Sequence, residues 1–188
     1  QSRVQFKNGV IGIVSSRVRP ENIDGKFTHL FVDIGLSKKE EVLKYVDVGD
    51  TAVFVGPYVN MPGNNITAKA IDDRVGCYMM METLMQQKEH YNDVYYVFSV
   101  QEEVGCRGSQ VSAERIKPDI GVAVDVTPAH DRPGDLEGNN TVGAGTAIKF
   151  SDTSVICDEY LVETQMNLCK RDNIKFQKEV IYVGGTDA

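Results

Sequence analysis

The pattern of hydrophobic and polar residues divides the chain into two stretches that predict different secondary structure. The first, from residue 4 to about 58, holds short apolar runs at residues 10–14, 29–34 and 51–55, separated by glycine and charged residues. Short strands with turn residues between them are typical of a small β barrel or sandwich. One helix is predicted here, over residues 37–45, where Ser37 and Glu40 form a capping box.

Beyond about residue 66, apolar runs alternate with helical segments. Residues 94–100 and 120–126 are nearly continuous apolar runs, the pattern of strands buried on both faces of an α/β sheet. Helices are predicted from Asp72 or Asp73 to about Gln87 and over residues 109–116 and 154–171, and a further strand over residues 180–183. This alternation predicts an α/β fold with a mostly parallel sheet flanked by helices.

A segment rich in glycine, proline and asparagine, residues 56–65, separates the two stretches. We therefore expect a small β-rich domain over residues 1–60 and an α/β domain over residues 61–188.

Composition and charge narrow the classes of function. A hydrophobic fraction of 41% and a charged fraction of 25% are globular values, which exclude a disordered or collagen-like chain. No apolar run approaches the roughly 20 residues that span a bilayer, so we expect no membrane association. The net charge of −7 argues against a nucleic-acid partner. The chain begins without a Met, which suggests that upstream residues are missing.

The four cysteines form no C-x-x-C pair. We therefore expect reduced thiols in a cytoplasmic protein rather than a zinc ribbon or a disulfide framework.

Acidic residues fall at the ends of the predicted elements. Asp72 and Asp73 begin the first helix, Glu102 and Glu103 follow the first strand, and Asp125 lies near the end of the second. The carboxyl ends of parallel strands meet at one edge of a sheet, so these acids are expected to cluster there. Clustered carboxylates repel one another unless a cation neutralises them. Carboxylates alone favour Mg, Ca or Mn, and added imidazole favours Zn or Co.

Each acid also has a purely structural interpretation. The aspartate pair could serve only as a helix cap, and the glutamate pair could lie in a solvated loop. Asp125, inside an apolar run, could form an ion pair with Arg74 or Arg107.

Adjacent residues of a strand point in opposite directions, so both glutamates can reach one ion only if the chain turns, as Val104 and Gly105 could allow. Alternatively, one glutamate binds the metal and its neighbour accepts a proton from the water that the metal activates. This is the chemistry of metal-assisted hydrolysis.

Four stretches of the second part of the chain are distinctive: AKAIDDRVG (68–76), VQEEVGCRG (100–108), VAVDVT (122–127) and VGGTDA (183–188). They resemble motifs in the catalytic domain of the tetrahedral, deblocking-type (glutamyl-aminopeptidase-like) family of dinuclear metallo-aminopeptidases. Residues 31–35 with 37–41 are similar to its small inserted β domain. The matches follow the family's order along nearly the whole chain.

The resemblance implies a role for each matching residue. Asp72 would bridge two divalent metal ions, Zn or Co, while Glu103 binds one of them and Asp125 the other. Glu102 would be the general base that helps remove the N-terminal amino acid of a peptide substrate. The substrate side would be lined by Gly184, Gly185, Thr186 and Asp187. The family also implies a homo-oligomer formed through the small β domain.

The chain departs from the family in its histidines. The family takes one imidazole ligand from a motif before the small domain and another from beyond the GGTDA loop, and none of His29, His90 and His130 matches either position. The chain thus resembles an internal fragment, which we expect to bind metal weakly or not at all and to be inactive alone.

Two other functions stay open. Some family members carry cellulase names, which suggests a glycoside hydrolase of the endoglucanase type. The chain could also be a non-catalytic assembly module whose acids are merely solvated.

Overall fold

The computed structural model describes residues 2–18, 27–135, 138–182 and 184–188. The chain forms two compact units, Gln1–Ile71 and Asp72–Ala188. The boundary between them lies after the segment in which the sequence analysis placed a junction.

The first unit contains a four-stranded antiparallel sheet. Its strands are β1 (Arg3–Phe6), β2 (Ile11–Ser16), β3 (Leu30–Asp33) and β4 (Ala52–Phe54), in the spatial order β3-β2-β1-β4. The three apolar runs of this stretch correspond to β2, β3 and β4, whereas β1 was not predicted. Val4, at the centre of the central strand β1, is 5% exposed and anchors the sheet.

The rest of this unit differs from prediction in two places. The helix α1 covers only Lys39–Val42, with Lys38 at its N-cap and no side-chain capping bond. The predicted capping box of Ser37 is therefore wrong, since the helix begins one residue too late for Ser37 to cap it. Residues 56–65 are not simply a linker, because β5 (Val59–Met61) and β6 (Asn65–Thr67) form an antiparallel hairpin there.

The second unit contains a β–α–β motif with the only parallel strand pair in the described residues. β7 (Thr146–Ser151) and β8 (Phe176–Val180) are joined by α4 (Glu159–Arg171). The helix packs on the pair through a core of Ile148, Val162 and Cys169. These side chains are at most 9% exposed.

Helix α4 begins later than the predicted residue 154. Asp152 instead holds a turn, because its carboxylate accepts hydrogen bonds from the amides of Ser154 and Val155 at 2.7 and 2.9 Å. Asp158 then caps α4 by accepting from the Leu161 amide at 3.0 Å. The predicted strand over 180–183 is also displaced, since β8 ends at Val180 and residue 183 lies outside the described residues.

The second unit contains two further helices and a 3-10 turn. They are α2 (Ile71–Gln86), a 3-10 turn (Glu102–Val104) and α3 (Arg107–Ile116). None of the helices in the described residues is both long and apolar enough to cross a membrane.

The predictions of buried strands over residues 94–100 and 120–126 are wrong for this structure. No strand is assigned to either run in the described part of the chain, and both carry exposed apolar side chains. Val100 and Val122, for example, are each 68% exposed. Composition makes a segment suitable for a sheet, but a strand exists only where a neighbour completes its ladder of hydrogen bonds.

Candidate active site

The start of α2 separates the roles of its two aspartates. Asp73 acts as the cap, since its carboxylate accepts a hydrogen bond from the Gly76 amide at 2.9 Å. A side chain at residue 76 would collide with that carboxylate, so the glycine makes the cap possible. Asp72 makes no such bond and lines a cleft in the second unit. The capping interpretation thus holds for Asp73 and leaves Asp72 free for chemistry.

A tight turn presents the two adjacent glutamates. Gln101, Gly105 and Cys106 have positive φ angles of 60°, 111° and 51°. The carbonyl of Glu102 accepts hydrogen bonds from the amides of Gly105 and Cys106, both at 2.9 Å. The chain therefore leaves the extended conformation at the point where the sequence analysis required a turn, and Glu102 and Glu103 both line the cleft.

Close backbone packing fixes this turn at the start of α3. The Gly108 amide donates to the Val100 carbonyl at 3.0 Å. A side chain at residue 108 would overlap the backbone of Val100, so only glycine permits the approach.

Asp125 lines the same cleft from a segment that forms no strand. One of its oxygens accepts from the neighbouring Val126 amide at 2.8 Å. The alternative interpretation, an ion pair with Arg74 or Arg107, is wrong in the described structure, where neither arginine pairs with this carboxylate.

The cleft that these acids share has a volume of about 410 Å³. Its acidic lining is Asp72, Glu102, Glu103 and Asp125, and Lys149 is the one basic side chain among the described residues that line it. The Lys149 amine is already paired, at 3.1 Å with Asp152 and at 3.2 Å with Glu179. Among the described residues, no unpaired cationic side chain therefore lines the cleft beside the four carboxylates.

Two of these acids, Asp125 and Glu102, have raised pKa values. Burial raises the pKa of Asp125 to about 6, and repulsion from Asp73 and Asp72 adds to the effect although the Val126 amide opposes it. Burial also raises the pKa of Glu102, and the charge of Asp187 contributes. A site that makes ionisation of its own acids costly is suited to a cation, whose charge would reverse the effect.

A second group of potential metal ligands lies at the same cleft. Within the described residues, one group brings three potential ligand atoms within 4.8 Å of one another, and it consists of Glu102, Cys106 and Asp187. Asp72, Glu103 and Asp125 share the cleft but do not form such a group. The donors in the cleft suit a divalent cation by type, since carboxylates are its common ligands.

No histidine is among the described residues that line the cleft. His90 hydrogen-bonds within its own loop, to the carbonyl of Asn92 at 2.7 Å. His130 packs against the backbone of Gly138.

The glycine-rich loop near the end of the chain forms another wall of the cleft. Gly184, Gly185 and Thr186 line it, whereas Asp187 does not. One oxygen of Asp187 accepts from the Ser99 hydroxyl, and the other is buried without a hydrogen-bond partner. Asp187 therefore anchors the loop through Ser99, and one of its carboxylate oxygens lies within 4.8 Å of ligand atoms of Glu102 and Cys106.

Two lining residues, Cys106 and Lys149, were not identified from the sequence. Cys106 lies four residues after Glu102, a helical spacing that places side chains on one face and could have indicated it. Lys149 carries no such signal, because its position depends on the pairing of β7 with β8.

A buried polar network supports the wall that contains Lys149. Glu179 is 1% exposed, pairs with Lys149, and accepts hydrogen bonds from the Thr127 hydroxyl and, at 2.6 Å, from the Asn140 amide. Burial by itself would raise the pKa of Asp152, but hydrogen bonds from Ser154 and the amine of Lys149 outweigh it and lower the pKa from 3.8 to about 2.

We expect Asp152→Asn to lower the free energy of unfolding by about 1–3 kcal/mol at pH 7, because the Lys149 amine loses its charged partner and the bonds from Ser154 and Val155 lose their charged acceptor. The folded-state pKa is below the unfolded value, so this stabilisation is complete above about pH 4 and is lost as the pH falls towards about 2. Urea denaturation of both chains at pH 7 and at pH 2.5 measures the difference.

Asp172→Asn is the control for this prediction, since the pair of Asp172 with Arg171 is exposed and little stability depends on it. A deficit of Asp152→Asn that persists undiminished at pH 2.5 would contradict the assigned role of the ionised carboxylate.

Comparison with known proteins agrees with this geometry. The sequence profile of M42 glutamyl aminopeptidase matches residues 2–188. A protein of Acetivibrio thermocellus that carries an aminopeptidase name is 41% identical over 186 residues, which are 98% of this chain and 56% of that protein. The chain thus spans about half the length of the curated relatives it matches.

Solved structures also show similarity to aminopeptidases. An aminopeptidase from the archaeon Desulfurococcus kamchatkensis superposes with a TM-score of 0.87 at 38% identity, over 100% of this chain and 55% of the other. An endoglucanase from Thermotoga maritima gives 0.74 at 32% identity, over 95% and 54%. The TET1 peptidase of Pyrococcus horikoshii, described as assembling into a tetrahedron or a large octahedral shell, gives 0.75 at 27% identity, over 100% and 58%. With a family profile that covers nearly every residue, the chain belongs to the M42 glutamyl aminopeptidase family.

Proposed function

We propose that the protein is a metal-dependent aminopeptidase that removes N-terminal residues from peptides. The observation that carries this proposal is the single cleft lined by Asp72, Glu102, Glu103 and Asp125. Membership of the M42 family supports the same reaction. In this proposal the unit Asp72–Ala188 is the central part of a catalytic domain with a mostly parallel sheet, and the preceding unit is its small inserted, barrel-like β domain.

The acids would hold two divalent ions, Zn or Co. Asp72 would lie between the ions, with Glu103 on one and Asp125 on the other. When bound, such ions polarise the scissile carbonyl and lower the pKa of the attacking water. Carboxylates without imidazole hold Zn and Co poorly, so we expect this chain alone to bind them weakly or not at all.

Glu102 would act as the general base. It lies in the cleft beside Glu103, and burial raises the pKa of its carboxyl. A carboxylate of raised pKa takes a proton from the attacking water more readily than an ordinary one, and can then deliver that proton to the leaving amine.

Residues 184–187 would form the substrate side of the cleft. Gly184 has a φ of +85°, and both Gly184 and Gly185 lack side chains that would keep a peptide at a distance. A peptide backbone could therefore approach this loop closely, while Asp187 would hold the loop through Ser99.

The first rival function is a glycoside hydrolase, which the name of the Thermotoga maritima relative suggests. Glycosidases use two carboxyl groups on either side of a sugar-binding cleft. The four acids here share one small cleft, and the chain contains no Trp with which to stack sugars. The second rival is a non-catalytic assembly module. The raised pKa values of Glu102 and Asp125, which are clustered and partly buried, argue against it.

The test uses the complete protein, meaning this chain with any flanking segments that its gene encodes. Supplied with Zn or Co, it should hydrolyse aminoacyl-anilides and leave carboxymethyl-cellulose intact. Cellulose turnover without anilide turnover would favour the glycosidase. An absence of heat on calorimetric titration with Zn and with Co, together with no turnover of either substrate, would favour the assembly module.

We further propose a homo-oligomer formed through the small β domain, and a cytoplasmic location. The Pyrococcus horikoshii relative, which is described as assembling into a large shell, supports the homo-oligomer. The four cysteines are all free thiols, which supports the cytoplasmic location. Light scattering of the complete protein, with and without residues 1–71, tests the oligomer.

A further inference from the structure

Cys106 connects two walls of the cleft. Its sulfur lies 3.7 Å from a carboxylate oxygen of Glu102 and 3.2 Å from the main-chain carbonyl of Thr186. Glu102 begins the acidic turn, and Thr186 belongs to the glycine-rich loop on the substrate side. Because Thr186 is 7% exposed, its carbonyl is held in a firmly packed part of that loop.

The thiol has the right protonation state to act as a donor. Burial raises the pKa of Cys106, and the negative charges of Glu102 and Asp187 raise it further. The sulfur therefore keeps its proton at neutral pH, and it faces two acceptors and no donor among the contacts described. Such a group serves as a hydrogen-bond donor rather than as a nucleophile.

The backbone at Cys106 is held independently of this side chain. Its φ of 51° lies in the left-handed region, and it occupies the N-cap position of α3. Its amide donates to the Glu102 carbonyl at 2.9 Å, and its carbonyl accepts from the Ser109 hydroxyl at 3.0 Å. The side chain is thus aimed by a turn that does not need the thiol to form.

We propose that Cys106 is a positioning residue whose thiol links the Glu102 carboxylate to the Thr186 carbonyl and so keeps the general base in register with the substrate loop. This inference rests on the proposed role of Glu102. Since the thiol has one proton for two acceptors, it can alternate between them and limit the movement of each wall relative to the other. A misplacement of about 1 Å can cost roughly 100-fold in rate, so a modest loosening should be measurable.

The test compares three substitutions of Cys106 in the complete, metal-loaded protein. Cys106→Ala and Cys106→Gly both remove the donor, and Gly also suits the left-handed backbone, so it should fold at least as well as the natural residue. We expect both to lower kcat by about 5- to 20-fold with KM changed less than about 2-fold, whereas Cys106→Ser should restore kcat to within about 3-fold of the natural protein. Cys77→Ala, in α2, is the thiol control and should retain full activity.

The outcomes separate this inference from the proposed function. If Glu102→Gln abolishes turnover but Cys106→Gly and Cys106→Ala keep full kcat, the positioning role is refuted and the function stands. A Ser variant as slow as the Ala variant would also refute it, because the hydrogen bond would then be irrelevant. If the natural protein turns over no aminoacyl-anilide, the proposed function itself fails.

Discussion

Replacing Glu102 with Gln in the complete protein is expected to lower peptide turnover by about 100- to 10,000-fold while the bound metal stays in place, because an amide cannot accept the proton of the attacking water. Gln keeps the size of the side chain and can still accept the thiol contact of Cys106. The measurement pairs kcat on an aminoacyl-anilide with metal content determined by elemental analysis.

Glu114→Gln is the matched control for this variant. Glu114 lies on α3, and its pair with Lys117 is highly exposed, so the same chemical change there should leave turnover unaffected. If Glu102→Gln instead loses metal, Glu102 is a ligand, and the division of labour between Glu102 and Glu103 is reversed or shared.

Replacing Asp72 with Asn should deplete the complete protein of both metal ions and abolish turnover. An amide contributes no negative charge, and the proposed position of Asp72 between two ions makes its loss affect both. The decrease in metal affinity should exceed the roughly 10- to 100-fold that follows loss of an outer-shell partner. Calorimetric titration with Zn of the metal-stripped protein gives the affinity and the stoichiometry.

Its neighbour provides an informative contrast. Asp73→Ala removes the cap of α2 and should cost about 1 kcal/mol of stability while retaining the metal. Asp119→Asn, a change on the exposed surface, should alter neither property. Unaltered metal binding in Asp72→Asn would remove Asp72 from the ligand set and with it the two-metal arrangement.

The adjacent acids show how far sequence reasoning reached. It predicted that Glu102 and Glu103 could share a site only if the chain turned after them, and the structure contains that turn. It could not decide which of Asp72 and Asp73 was the cap. That depends on the clearance above Gly76, where the Asp73 carboxylate reaches the amide.

The wrong predictions have a common physical cause. Residues 94–100 and 120–126 have the composition of buried strands, yet no strand forms there in the described chain. The capping box at Ser37 matched a motif but not the residue at which the helix begins. In both cases a local pattern was correct as a preference, and its outcome depended on neighbours that a local pattern does not contain.

What the sequence alone determined is the inventory of the site: which acids exist, their order, and the glycines that let the chain turn beside them. These are local properties, set by residue type and spacing. Only the tertiary structure decided which of those groups face one cleft, that Asp187 bonds to Ser99, and that Cys106 and Lys149 join the walls. Such proximity arises from packing between segments far apart in the chain, where distance in space is independent of distance in sequence.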